Sequence, residues 1–484
     1  MKRSVGLPGG WRCGYLVMVA CATFQTGCGA TSAASYERPA VSTPSVYRAG
    51  GEAFEMARES IAPHWWRGFR DTYLDALIER SIQGNPDLRI AVARVEEASA
   101  AIGQARAARL PTVSAGGNVT ARGDRSPFSG NRQTTENYGA QTQLSWEIDT
   151  WGKLKKGVNA RKAAYRAGEA DWRAAYLTIV SQVATSYFLV RQFDEQLAIQ
   201  QRSLDTAQSI LRIYRNQLRE GLVANTEVLR QEAEVNSIRR GVLDLQRQRD
   251  LGENALATLL GVPAGGLDVP VSPLTPTVRE LDVPAGLPAD LLRRRPDIVA
   301  AEYRVLEAYE LVGQAELARL PSLSLTGNSS GGGSLASASL SALVKSLTFG
   351  IGPSVNIPLF DPGVKARIRT SKASARTREE EYRRTVILAF QEVEDALVNL
   401  SSRRAQKAEL LAELKNLETV ARQMRAQLRA GIVTQLEVLE SERRLLSTNQ
   451  SLLSTHQQIL ADTVTLYKAM GGGWDEDIVS QASL

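Results

Sequence analysis

Cysteine is nearly absent: the 484 residues hold three, Cys13, Cys21 and Cys28, all close to the N-terminus. The body of the chain therefore has no thiol for a disulfide framework, a metal site or a nucleophile. Histidine is scarcer still, with only His64 and His456, and neither sits in zinc spacing. There is no P-loop and no nucleophile elbow. No catalytic constellation is legible, so the chain reads as a non-enzyme with no metal or cofactor site. Its five methionines (Met1, Met18, Met56, Met424, Met470) form no cluster, which disfavours a thioether site for a soft metal. Charge of one sign is also lacking. The net charge is +6, and residues 1–27 hold Lys2, Arg3 and Arg12 with no acids, leaving +3 beyond them. A dispersed excess of that size does not point to nucleic acid. Aromatics are only 6% of the chain, while Ala, Leu, Gln, Glu and Arg abound, a composition that favours long helices.

The N-terminus has the form of a secretory signal. The three basic residues precede or flank "YLVMVACATF" (Tyr15 to Phe24), which is too short to span a bilayer as a helix. "QTGC", ending at Cys28, is similar to a bacterial lipobox, with "MVAC" at Cys21 as its rival. Residues 1–27 are expected to be a lipoprotein signal peptide, and Cys28 to carry a covalent lipid, each buried CH2 contributing roughly 0.8 kcal/mol of membrane affinity.

The body is written twice. "QLREGLVANTEVLRQEAEV" (Gln217 to Val235) and "QLRAGIVTQLEVLESERRL" (Gln427 to Leu445) agree at nine of nineteen positions, 210 residues apart. Residues 85–118 and 295–328 agree at 17 of 34 with the same offset. A unit of about 210 residues is far longer than a solenoid repeat. It implies two similar halves: a first repeat over 85–261, a Pro-rich connector over 262–294, a second repeat over 295–470 and a tail over 471–484.

Within each repeat the periodicity changes twice. A helical stretch (Asp87 to Arg109, with Ile90, Ala93, Val95, Ala98 and Ile102 on one stripe) stops at Pro111, as its counterpart does at Pro321. Period-two alternation follows, predicting strands near 111–122 and 137–149, then 321–329 and 346–359. In "YGAQTQLSWEID", Tyr138, Ala140, Thr142, Leu144, Trp146 and Ile148 share one face, and Gly139, Gln141, Gln143, Ser145, Glu147 and Asp149 the other. Stretches 122–136 and 330–346 read as exposed loops. Long helices are predicted next, over 153–219 and 226–260, then 365–429 and 436–470. A tract of 67 residues is roughly 100 Å long.

Four strands of about ten residues, apolar on one face, suit either a sheet with one wet face or a transmembrane barrel. Four cannot close a barrel, and open edges are not tolerated in lipid. A membrane reading therefore requires several chains; three would give twelve strands, although alternation alone does not select three.

"HWWRGFRDTYLDALIERSIQGNPDLRIAVARVEEASAAIGQARAARLP" (His64 to Pro111), "YERP" at Tyr36, "SWEIDTWGK" at Ser145 and "PLFDPGVKAR" at Pro358 together resemble the outer membrane factor (TolC-like) family, in its OprM/NodT lipoprotein branch. The resemblance implies an α+β membrane channel: a homotrimer with a 12-stranded barrel in the outer membrane and a long α-helical barrel reaching into the periplasm. It further implies an exit duct for a tripartite RND-type efflux pump, meeting a periplasmic adaptor and an inner-membrane transporter. The same architecture serves type I protein secretion, and a periplasmic coiled-coil scaffold without a barrel is the remaining alternative. Residues 28–84 would be the lipid-anchored segment and first short helix.

The duplicated turns would then be the periplasmic tips. Gly221, Leu222 and Val223 in one copy, and Gly431, Ile432 and Val433 in the other, are candidate adaptor-docking tips; the alternative is a hydrophobic contact that closes each turn. Thr434 and Glu437 have capping-box spacing. By position, Glu437 and Glu440 match acidic aperture residues of the family and are the candidate pore gate, whereas the first copy has Glu227 and Arg230 there. Val433 stands where some relatives have a basic residue.

Overall fold

The computed structural model describes residues 36, 38–41, 47–48, 63–125, 132–281, 294–335 and 339–472. Cys28, its rival Cys21, the signal-peptide segment and the tail beyond residue 472 lie outside the described residues. A 3-10 turn (Trp65–Phe69) precedes α1 (Thr72–Gly84) and α2 (Pro86–Ala107). Strands β1 (Thr112–Arg125) and β2 (Arg132–Ile148) lead to α3 (Lys153–Arg219) and α4 (Asn225–Leu259). A short α5 (Leu274–Thr277) lies in the connector. The second repeat supplies α6 (Pro296–Leu317), β3 (Ser322–Ser334), α7 (Leu340–Lys345), β4 (Thr348–Asn356), α8 (Pro362–Arg429) and α9 (Gln435–Ala469). Two compact units result. The strand unit holds Arg109–Gly157 and Tyr309–Ala373; the helical unit holds Arg38–Ala108, Val158–Ala308 and Ser374 onward.

In the strand unit the sheet is antiparallel throughout, in the order β1-β2-β3-β4. Three of the four strands are longer than the alternation predicts, whereas β4 is shorter than the expected 346–359. β1 and β2 stay paired out to Arg125 and Arg132, and β3 reaches Ser334. The stretch expected as one loop over 330–346 instead holds the end of β3 and all of α7. There the amide of Gly332 donates to Ser346 Oγ at 2.9 Å. Helix α3 is capped from the strand side, because Asp149 accepts from the amides of Leu154 and Lys155. Asp361 does the same for α8 through Gly363 and Val364, so that helix starts at Pro362, ahead of the expected residue 365.

In the helical unit, cap residues set the starts. Asp71 accepts from the amides of Tyr73 and Leu74, and Asn85 from those of Asp87 and Leu88, with Pro86 at the first helical position. The buried side of α2 differs from the expected stripe. Leu88, Ala91, Val92 and Val95 pack on the core, while Ile90 and Ala93 are exposed. The core joins Trp65, Trp66 and Phe69 to Tyr187 and Phe188 of α3, and to Leu397 and Leu400 of α8.

The helix ends repeat with the 210-residue offset. Gly261 (φ +71°) and Gly471 (φ +91°) each end a helix in the left-handed region. A Cβ on Gly261 would lie 2.2 Å from Gly84 O, and one on Gly471 2.8 Å from Arg294 O. The same junction is tied by different side chains: Asn85 Nδ2 donates to Leu259 O, and Arg295 Nη1 to Ala469 O.

The connector is held down at both described ends. Near its start, buried Asp194 of α3 accepts from Arg191 Nη1 (3.2 Å), Arg249 Nε (2.6 Å) and the Ser272 amide (3.1 Å). Further on, Glu280 pairs with Lys407 and with His456 Nδ1 (2.7 Å). The hydrogen bond with His456, and after it the one from Lys407, outweighs burial and holds the Glu280 carboxyl down at about 2. A depressed carboxyl pKa stabilises the fold above its unfolded value of 4.5, and the benefit is lost as pH falls from there toward 2. Protease cleavage of the connector is therefore expected to be faster in E280Q than in the unaltered protein at pH 7, and that gap to close between pH 4.5 and 2. A gap that does not narrow with acid would rule out this clamp.

Candidate channel wall and helical tips

Residues directly opposite in an antiparallel ladder share a face. The register therefore collects Val113, Ala115 and Val119 of β1 with Leu144, Thr142 and Tyr138 of β2. It then collects Trp146 and Ile148 with Leu325 and Leu323 of β3, and Leu323 with Val355 of β4. Phe349 and Ile351 of β4 complete this face by parity, opposite Ser329 and Gly327. The other face is mostly amide, hydroxyl and glycine, with Ser114, Asn118, Gln141, Gln143, Ser324, Thr326, Asn328 and Ser354, and it carries Glu147 opposite Ser324 and Arg122 toward the far end of β1. The alternation read in each strand is thus one continuous property of the sheet. Val113, Val119, Phe349, Ile351 and Val355 are exposed in the protomer, so a wide apolar surface is left without protein cover. Two indoles fix the end of the sheet nearest the helices: Trp146 Nε1 donates to Arg109 O (2.9 Å) and Trp151 Nε1 to Pro321 O (2.7 Å). No described helix is long and apolar enough to cross a membrane.

The two tips are near copies. At the first, the Leu222 amide donates to Gln217 O and the Gly221 amide to Leu218 O. At the second, the Ile432 amide donates to Gln427 O and the Gly431 amide to Leu428 O. Each is a Schellman turn, and each glycine takes a left-handed φ, +71° at Gly221 and +74° at Gly431. Leu222 and Ile432 stand out into solvent, whereas Val223 and Val433 are half-buried. Within each apolar pair, burial thus differs: the valine is partly covered and the residue before it stays accessible.

Behind each tip the hairpin is tied by an equivalent ion pair, Arg215–Glu232 (2.7 Å) and Arg425–Glu442 (2.8 Å). The start of the return helix differs. Thr434 and Glu437 make the capping box: Glu437 Oε2 accepts from the Thr434 amide (2.7 Å) and hydroxyl (2.9 Å). The backbone donor, and then the hydroxyl, hold the Glu437 carboxyl below its usual value. In the first copy Ala224 offers no cap, and Glu227 pairs with Arg230 (3.1 Å). Glu440 is exposed one turn beyond Glu437. The next turn carries the side chain that sequence reading missed. Arg443 makes a two-pronged ion pair with Glu234, joining α9 of one hairpin to α4 of the other. Its signal was the absence of a counterpart, since positions 233 and 444, one repeat away, are Ala233 and Arg444.

The outer membrane efflux protein family model matches residues 77–262 and 287–472, two stretches that start 210 residues apart. The chain belongs to the outer membrane efflux protein family. The pyoverdine export outer membrane protein OpmQ of Pseudomonas aeruginosa is 31% identical over 428 residues, covering 85% of this chain and 88% of that one. The cation efflux system protein CusC of Escherichia coli is 31% identical over 461 residues, covering 93% and 97%. Among solved structures, the open-state MtrE outer membrane channel of Neisseria gonorrhoeae superimposes with a TM-score of 0.78 at 27% identity, covering 91% of this chain and 98% of that one. The efflux-family fold explains both units: a few strands to make a wall, and long paired helices. The protein is an outer membrane efflux channel, and the family model matches it twice along its length.

Proposed function

We propose that this channel is the passive exit duct of a tripartite RND-type pump, closed as a homotrimer and serving a periplasmic adaptor and an inner-membrane transporter. The observation that carries this reading is the four-stranded sheet, apolar on one face, polar on the other, and open at β1 and β4. Unpaired edge groups in hydrocarbon cost several kcal/mol each, so closure needs further copies. Three copies supply twelve strands. The polar face then lines the lumen, and its mostly amide and hydroxyl lining favours passage of whatever the transporter delivers over selection or catalysis. Leu222 and Ile432, with Gly221 and Gly431 setting the turns and Val223 and Val433 closing them, are the adaptor-docking tips. A lipid on Cys28 anchors the chain; the relative SilC of Salmonella typhimurium bears the name of a probable outer membrane lipoprotein, which supports this. Heat-modifiable trimers in the outer-membrane fraction are expected, and a freely soluble mature chain would contradict the assembly.

Glu437 and Glu440 form the gate in this reading. Glu437 is already tied to Thr434, so Glu440 is the more adaptable charge of the two. Three copies of each make an acidic ring whose mutual repulsion biases the aperture. Replacement of both by Ala is expected to raise single-channel conductance in planar bilayers without loss of trimer. Unchanged conductance in correctly inserted trimers would remove these two residues from the gate.

A further inference from the structure

The two repeats are alike in fold but not in cover. Leu453 on α9 is 5% exposed, whereas its counterpart Leu243 on α4 is 59% exposed. Leu177 on α3 is 3% exposed, whereas its counterpart Ile387 on α8 is 59% exposed. In each pair the covered member lies where the repeats of one chain meet. Gly472, at the end of the second repeat, sits directly over Leu177, and the α9 stretch before Leu453 is tied to α3 by Gln450 Nε2 donating to Gln200 (3.2 Å). The bare members occupy the same positions on the two outer flanks. Leu229 is likewise exposed on the first hairpin, while its counterpart Leu439 lines the cleft between hairpins.

That cleft, about 230 Å³, shows which surfaces meet. Ile199, Ser203 and Ile210 of α3 face Arg425, Leu446 and Asn449 of the second hairpin across it. Moved by one repeat, the first set becomes Glu409, Glu413 and Val420, and the second becomes Arg215, Asn236 and Arg239. A contact inside the chain whose one charged member among these six, Arg425, is paired with Glu442 thus maps onto an acidic α8 flank and a basic first-hairpin flank. The basic flank is a real groove, in which Arg212, Arg215 and Arg239 line a hollow of about 400 Å³ with Glu232 as its one carboxylate. Gln450, moved by one repeat, becomes Arg240. Among the described residues Arg239, Arg240 and Glu409 have no ion-pair partner, and Glu413 accepts only from Thr448.

We infer that the occupant of this basic groove is the α8 flank of a second copy, with Arg239 and Arg240 of one chain set against Glu409 and Glu413 of the next. The inference deepens the three-chain reading above and rests on it. It assigns the register between chains, and it separates the two kinds of hairpin contact around the ring. The contact within a chain is locked by Glu234–Arg443, beside the second hairpin's own Arg425–Glu442 pair. The contact between chains, where Ala233 and Arg444 replace that lock, is held by opposite charge further along the helices. Salt should therefore loosen the second contact more than the first.

The test is made in the full-length protein. Two differently tagged chains are co-expressed, one carrying R239C and the other E413C, and mildly oxidised in the membrane. A thiol-reversible heterodimer is expected, while S203C with N449C in a single chain should close within that chain and give no covalent dimer. If no heterodimer forms although light scattering in detergent counts three chains, the register is wrong and the trimer stands. If light scattering counts one chain, the three-chain reading itself fails. As a second measurement, R239E with R240E should weaken association roughly tenfold through two lost pairs. Adding E409R with E413R should restore it; a fourfold variant no better than the double one would overturn the charge pairing.

Discussion

Leu144→Arg is expected to abolish stable insertion of the channel, whereas Gln143→Arg, one residue away, leaves it inserted. Leu144 lies on the apolar face, four residues before the end of β2, between Val113 of β1 and Gly327 of β3. Gln143 lies on the polar face, between Ser114 and Asn328. A guanidinium turned toward hydrocarbon costs up to about 4 kcal/mol per chain, depending on depth, and in a three-chain barrel that cost is met three times. The same group on the wet face keeps its hydration and alters only the lining. Denaturant titration after reconstitution into vesicles, with the heat-modifiable fraction as a second readout, separates the two variants. Equal behaviour would mean that the faces have been assigned the wrong way or that the sheet is not in lipid.

Asp194→Ala should be the most damaging single change in the helical unit. The carboxylate is almost fully buried and serves three donors at once, from Arg191, Arg249 and the amide of Ser272. Its removal leaves buried Arg191 without its anionic partner and frees the start of the connector. Breaking a buried ion pair from one side costs about 3–5 kcal/mol. Asp244→Ala is the matched control. Asp244 also pairs with an arginine, Arg247, but at the surface, where solvent screens the pair and it adds little. Loss of stability is read from the unfolding midpoint, and loosening from protease cuts within residues 263–281. A cost for D194A no larger than for D244A would show that the connector is held by its apolar contacts alone.

Sequence reading succeeded where local chemistry decides structure. Proline and glycine mark every long-helix end, so α3, α4, α8 and α9 fall within three residues of their expected bounds. The capping box at Thr434 was legible because its partners are three residues apart. The strand faces were legible because alternation needs only the neighbouring residues. What was missed depends on the backbone or on distant partners. "ARGDR" and "RQTTE" look like loop because both their faces are polar, yet the ladder pairs backbone groups and continues to Arg125↔Arg132. Ile90 was placed on the buried stripe of α2 by its hydrophobicity, but Leu88, whose amide is fixed by the Asn85 cap, sets the phase and turns Ile90 outward. Asp194 looks like any acid on a long helix, because the groups that bury it lie 55 and 78 residues away. The Glu234–Arg443 bridge spans 209 residues, and no spacing rule connects its ends.

The open edges of the sheet also govern how the channel is made. β1 and β4 each turn a row of backbone donors and acceptors outward, and on that outer edge neither strand has a mate among the described residues. Entry of one chain alone into hydrocarbon is uphill by several kcal/mol for every unmated group. Edge pairing and entry into the membrane must therefore happen together, in a step whose rate rises faster than linearly with the number of chains present. At low expression the rate-limiting species is a water-exposed intermediate that is waiting for company. The yield of finished channel should then show a threshold in synthesis rate, where a barrel closed by one chain would show a straight line.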